Sequence, residues 1–202
     1  GKNFKITAYE KIINCNLFKN LSLGIDPKLF TYEQIKRNFA KNNKIKFIDN
    51  NLVDEIENKK INENKKFYSL KRNIVSESSN SKINKISKYL KKNKSDYLFI
   101  SAPENVAWIL NIRGKDVPNS PLPNCRLIIS KTKKLFLITK IQKAKQLIKE
   151  QIIKKDELID NKDITKIISN LKGNNFIIDN KTCSIYYENL IASKFKIIKK
   201  ED

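Results

Sequence analysis

The sequence predicts a mixed α/β protein of two units, and three observations carry that expectation. Residues 17–57 follow a strand, helix, strand order, and residues 82–202 alternate strands with amphipathic helices and include one hairpin. The stretch between them, 58–81, loses apolar periodicity in clusters of Asn, Lys and Ser and reads as a linker. A chain of 202 residues is long enough to bury a core in one large unit or two smaller ones.

In the first stretch, Leu21–Asp26 is a short apolar-rich strand ended by Pro27. Thr31 and Gln34 have capping-box spacing, which predicts a helix presenting Tyr32, Ile35 and Phe39 on one face. Lys44–Asp49 alternates as a half-buried strand, and Asn51–Ile56 follows as a turn and short helix. A parallel pair of strands joined by the helix is the natural packing. Phe67, Tyr68 and Leu70 mark the 58–81 linker as lying against a surface, because a free tether has little use for apolar side chains.

From Ser81, read as an N-cap, Ile83, Ile86 and Leu90 form the apolar stripe of a helix ending near Asn93. The strand Tyr97–Ser101 follows, and Pro103 then sits at a helix N1 position, opening a helix over 103–110 with Val106, Trp108, Ile109 and Leu110 expected in the core. Arg126–Ser130 and Leu135–Thr139 flank a Lys-rich turn as a hairpin. Ile141, Ala144, Leu147, Ile148 and Ile152 repeat at helical spacing, as do Ile164, Ile167, Ile168 and Leu171, after which Gly173 is read as a C′ glycine. The strand Asn175–Asp179, the helix Ser184–Ser193 and the strand Lys196–Lys199 close the series.

Composition excludes more than it identifies. The chain has no histidine, the commonest general base and metal ligand near neutral pH. Cys15, Cys125 and Cys183 are far apart and lack C-x-x-C spacing, so they read as small buried hydrophobes; neither a disulfide framework nor a zinc site is indicated. No run approaches the roughly 20 apolar residues of a membrane helix, and a cytoplasmic location is expected. The formal charge of +21 would ordinarily point to a polyanion partner. Only Arg37, Arg72, Arg113 and Arg126 among the 42 basic residues are arginine, however, and lysine is the poorer side chain for bidentate phosphate contacts. A solvated lysine surface is the simpler reading. A basic α/β module for nucleic acid or another polyanion is the alternative. Methionine is absent, which predicts a piece of a longer reading frame with Gly1 as an arbitrary or cloning-derived start.

No catalytic constellation emerges from spacing. Asp26, Asp49, Asp54, Asp96, Glu104, Asp116 and Asp179 are scattered near predicted strand ends. There is no H-E-x-x-H motif and no glycine-rich phosphate loop, since the four glycines are dispersed. Catalytic, cofactor-binding and metal-binding residues are therefore expected to be none. What remains is the loop Asn111–Pro123, where Arg113, Gly114 and Asp116 precede Pro118, Pro121 and Pro123. Proline lowers the cost of ordering such a loop, and arginine can grip a carboxylate bidentately, so it has the form of a docking element. The other reading is an internal Arg113–Asp116 turn contact.

The run Ala107-Trp108-Ile109-Leu110-Asn111-Ile112-Arg113-Gly114-Lys115-Asp116-Val117-Pro118, continuing through Pro121 and Pro123, resembles the middle domain of three-domain Xaa-Pro aminopeptidases. These belong to the pita-bread metallopeptidases that also include creatinase and prolidase. Gly24-Ile25-Asp26-Pro27 and Asn51-Leu52-Val53-Asp54-Glu55-Ile56 resemble the later part of the family's first domain, and Ser76–Lys82 resembles its serine-rich approach to the middle domain. Glu57 stands where the family usually has Trp, and Lys115 where a small residue is usual.

The resemblance implies two creatinase-N-terminal-like units with mixed sheets flanked by helices. Residues 1–57 would supply the later part of the first, 58–81 the linker and 82–202 the middle domain. The catalytic pita-bread domain would begin after residue 202 and hold two divalent ions, typically manganese. The fragment itself would be no enzyme. It would shape the cleft and homodimer of a peptidase that removes the residue before proline, with Trp108, Asn111, Arg113, Gly114, Asp116 and Pro121 as cleft or interdomain contacts. Its partners would be the downstream catalytic domain and peptides with proline second; neither membrane nor nucleic acid is expected.

Overall fold

A computed structural model describes residues 18–56 and 65–200. Cys15, Glu57 and the first part of the 58–81 stretch lie outside the described residues. The chain divides into two compact units, one of residues 1–59 with 184–186 and the other of 60–183 with 187–202.

In the first unit, strand β1 (Ser22–Ile25) pairs in parallel with β2 (Lys44–Phe47), in the register Ser22↔Lys44 through Ile25↔Phe47. The connecting helix α1 (Tyr32–Asn38) begins as the sequence predicts. The Thr31 hydroxyl accepts from the Gln34 N–H at 3.1 Å and the Gln34 side chain accepts from the Thr31 N–H at 2.9 Å, satisfying two orphan donors reciprocally. Ile25 and Ile35 are buried, whereas the short helix α2 (Leu52–Ile56) has no buried residue.

The second unit is a three-layer α/β/α sandwich. Within the 58–81 stretch, Phe67 is fully buried and Tyr68–Ser69 forms β3. Helix α3 (Ser79–Lys92) starts one turn earlier than the Ser81 cap predicts, because the Ser78 hydroxyl accepts from the Ser81 N–H and caps the helix instead. Then come β4 (Tyr97–Ile100), α4 (Pro103–Leu110) with proline in its first turn, and β5 (Ile112–Arg113), which pairs antiparallel with β3. The hairpin β6 (Arg126–Ser130) and β7 (Leu135–Ile138) leads into α5 (Ile141–Lys149) and β8 (Leu158–Ile159). Helix α6 (Ile164–Asn170), strand β9 (Asn175–Ile178), helix α7 (Ile185–Ala192) and strand β10 (Lys196–Lys199) follow.

The main sheet runs β10-β9-β4-β6-β7-β8. Its β10, β9 and β4 are parallel, β6 is antiparallel to both β4 and β7, and β8 is parallel to β7, so hairpin and crossover connections coexist. Successive side chains point to opposite faces of a strand, and both faces of this sheet are covered. Leu98, Ile100, Leu127, Ile129 and Leu137 pack on one face with Ile83, Leu90, Val106, Leu110 and Leu147 of α3, α4 and α5. Tyr97, Phe99, Ile128, Phe176 and Ile178 pack on the other with Ile164, Ile168 and Ile191. That is why β4, β6 and β7 read as nearly unbroken apolar runs.

Gly173 does not act as the predicted C′ glycine. Helix α6 ends at Asn170 with Leu171 as an extended C-cap. Gly173 has φ +146°, and a Cβ there would stand 2.8 Å from Asp96 Cγ. Asp96 accepts from the N–H groups of Asn174 and Asn175 at 2.7 and 3.0 Å and from Lys131 Nζ at 2.7 Å, so the glycine admits a close carboxylate that ties β4 to β9.

Candidate functional site

The loop Asn111–Pro123 leaves the end of α4 through a left-handed corner. Asn111 caps the helix at φ +54°, a conformation asparagine tolerates better than most residues. Its side chain is buried: Oδ1 accepts from Lys82 Nζ at 2.7 Å and Nδ2 donates to the Glu77 carbonyl at 2.9 Å. Lys82 also donates to the Trp108 carbonyl at 2.6 Å and stands 4.1 Å from the centroid of the Trp108 ring. Burial holds the Lys82 ammonium below the ordinary lysine range, a fall that the nearby Glu77 carboxylate opposes.

Past the corner, Gly114 donates to the Pro121 carbonyl at 3.0 Å, closing the loop on itself. A Cβ at Gly114 would stand 2.7 Å from Pro123 Cα, so this backbone approach requires glycine. Asp116 accepts from the Asn124 N–H at 2.7 Å and pairs with Lys143 of α5. The two side chains are 6% and 8% exposed, and the Lys143 carbonyl in turn accepts from the Phe67 N–H at 2.8 Å. A buried pair therefore fastens the loop to α5, and a backbone hydrogen bond fastens α5 to the β3 segment.

The six predicted contact residues separate into three groups. Asn111, Gly114 and Asp116 are consumed in holding the loop. Trp108 and Pro121 face outward, and Trp108 is 57% exposed, which corrects the expectation that it belongs to the core. Helix α4 buries Val106, Ala107, Ile109 and Leu110 and leaves the indole outside that stripe. Arg113 is half-buried and donates to the carbonyls of Ile112 and Ala107 at 2.8 and 3.4 Å, so its partner is backbone and not Asp116. Of the other arginines, Arg126 lies 4.6 Å from the Tyr187 ring centroid. Sequence reasoning missed Lys82 and Lys143, both more than nine-tenths buried. The available signal for Lys82 was its place beside Ile83 and one turn before Ile86, on the edge of the apolar stripe.

The N-terminal domain of creatinase and prolidase matches residues 58–202, a span that takes in this loop and the whole six-stranded sheet. The chain belongs to that family. This creatinase/prolidase N-terminal domain is similar to the Xaa-Pro aminopeptidase ApepP of Drosophila melanogaster, with 26% identity over 129 residues, 61% of this chain and 21% of the fly protein. It also superposes on the X-prolyl aminopeptidase of Caenorhabditis elegans, described as a cytosolic enzyme with a di-nuclear active site, at TM-score 0.74 and 19% identity. That match covers 99% of this chain and 34% of the worm chain. The chain thus spans about a fifth and about a third of the two relatives.

Among the described residues of this creatinase/prolidase N-terminal domain, no three His, Cys, Asp or Glu side chains stand close enough to share a metal ion. Asp96 and Asp116 are held by lysines and backbone N–H groups, and Glu188 pairs with Lys199 at 2.6 Å. Cys125 and Cys183 are buried, and burial pushes each thiol up to about 12, away from the nucleophilic thiolate. Among the described residues no helix is long and apolar enough to cross a membrane. The arrangement offers a rigid, lysine-fastened loop and an exposed indole, which suit contact and positioning.

Proposed function

We propose that this chain is the non-catalytic N-terminal region of a cytoplasmic Xaa-Pro aminopeptidase, helping to shape the substrate cleft and homodimer of an enzyme that removes the residue preceding proline. In this reading residues 1–57 are the later part of a first creatinase-N-like domain, 58–81 the linker and 82–202 the middle domain. The catalytic domain follows residue 202 and holds the two divalent ions, manganese by family resemblance. Those ions would supply an activated water and stabilise the developing oxyanion. The family match over 58–202 and the likeness to the fly and worm aminopeptidases support this reading.

The observation that carries the positioning role is the fastening of the Asn111–Pro123 loop by the buried Asp116–Lys143 pair and the Lys82–Asn111 bond. A loop ordered in advance gives its ordering cost back to any contact it makes. Arg113, Trp108 and Pro121 are then the residues that touch the catalytic domain or the cleft, while Asn111, Gly114 and Asp116 hold them in place. Arg113→Ala in the parent enzyme is expected to lower kcat/KM for an Xaa-Pro peptide by about 10- to 100-fold, as small misplacements near a cleft do, without unfolding the middle domain. Wild-type kinetics would refute the assignment.

A further inference from the structure

Helices α3 and α4 do not meet completely over the sheet. Between them lies an open groove of about 370 Å³, within the range of roughly 300–1,000 Å³ typical of ligand sites. Ile100 and Ile177 belong to its apolar lining, Tyr89 and Trp108 line it from α3 and α4, and Asn105 and Lys200 are its polar members. Tyr89 is 37% exposed and Trp108 is 57% exposed, although Trp and Tyr are the side chains that gain most from being covered at an interface.

The charge of the groove is one-sided. Lys200 is the only ionisable side chain other than the Tyr89 phenol lining it among the described residues. Its Nζ gives one of three donors to Asn93 Oδ1 at 2.7 Å and lies 5.8 Å from the Tyr89 ring centroid, so the ammonium is held beside the aromatic wall with donors to spare. The whole chain carries +21, a field that draws acidic segments.

We propose that this groove is a docking site for an acidic peptide segment of a partner protein, which inserts a large apolar side chain between Tyr89 and Trp108 and pairs a flanking carboxylate with Lys200. The apolar floor supplies affinity and Lys200 supplies the preference for an acidic flank. The inference stands on the groove; within the peptidase reading it sets Trp108 against this segment and leaves Arg113 and Pro121 for the catalytic domain or the cleft.

Trp108 is the chain's single tryptophan, so fluorescence excited in the indole band reads this groove directly. Titration of the 202-residue chain with the capped peptide Glu-Glu-Leu-Leu-Glu-Glu is expected to give a saturable blue shift. Affinity should weaken about tenfold or more as salt rises from about 0.05 to about 0.5 M. The capped peptide Lys-Lys-Leu-Leu-Lys-Lys should give no shift. Lys200→Glu, an exposed change that leaves the core intact, should abolish the response to the acidic peptide and create one to the basic peptide. Equal binding of both peptides, or an unchanged preference in Lys200→Glu, overturns the proposal. So does a blue shift that grows with protein concentration alone, which marks a second copy as occupant. A shift produced by octanoate but not by the acidic peptide also overturns it.

Discussion

Replacing Lys143 with Met keeps the unbranched stem of the side chain but removes the ammonium, leaving the Asp116 carboxylate enclosed at 6% exposure. Its remaining bond is the Asn124 N–H at 2.7 Å. Stranding one member of a buried pair costs about 3–5 kcal/mol, a large share of the roughly 5–15 kcal/mol that holds a typical domain folded. With a urea slope of about 2 kcal/mol/M, a loss of about 4 kcal/mol lowers the unfolding midpoint by about 2 M. The informative comparison is Lys143→Met combined with Asp116→Leu, because removing both charges also removes the stranded one. Each single variant strands a charge at about 3–5 kcal/mol while the double variant is expected within about 1 kcal/mol of wild type, so a double-mutant cycle gives a coupling of about 5 kcal/mol or more. Amide exchange offers a local readout. The Gly114 N–H, bonded to the Pro121 carbonyl, should lose protection in either single variant before the sheet amides do. Strictly additive single effects, each below about 1 kcal/mol, would refute the idea that the pair fastens the loop.

Three further outcomes are expected. Gly114→Ala forces a Cβ to 2.7 Å from Pro123 Cα and should destabilise the second unit by about 1–3 kcal/mol in urea unfolding. Asp96 in the folded chain has its carboxyl pushed up by burial but lowered further by Lys131 and the Asn174 and Asn175 N–H groups, for a net depression below the ordinary value. Its contribution is therefore fully present above the unfolded value of about 3.9 and is lost as pH falls through the folded value; Asp96→Asn should lower stability at pH 7 and flatten the acid limb of the stability curve below about pH 4. In a Cys15→Ser background, Cys125 and Cys183 should resist a thiol reagent at pH 8 until urea unfolds the chain, since a thiol at about 12 is ionised to about 1 part in 10⁴ at that pH.

The elements with strong local chemistry were legible from the residues. Thr31 and Gln34 announced α1, Pro103 announced α4, and the apolar runs 126–130 and 135–138 announced the hairpin. The strands β3, β5 and β8 were not, because two residues carry no period to detect and each exists only through its partner across the sheet. Ser78 and Ser81 are equivalent caps in a serine-rich run, and the choice between them is made by the helix that actually forms. For the loop, the residue types were visible but their partners were not. Asp116 finds Lys143 across 27 positions and Asn111 finds Lys82 across 29. In a chain where lysine is the default surface residue, nothing local distinguishes the two that are enclosed. Trp108 misled for a related reason: size and hydrophobicity argued for the interior, while the turn of α4 decided the direction.

The central position of β4 also sets a timetable for synthesis. Its partner on one side, β6, follows within about thirty residues in sequence, whereas on the other side Tyr97 must wait for Phe176. A nascent chain released before residue 175 has emerged would carry the hairpin and most helices, yet leave the flank of β4 with unpaired peptide groups and Phe99 uncapped. Such a truncated product would present a sticky edge to chaperones or to its neighbours. Only when β9 and β10 arrive does that liability vanish, so quality control of this domain rests on residues 175–199.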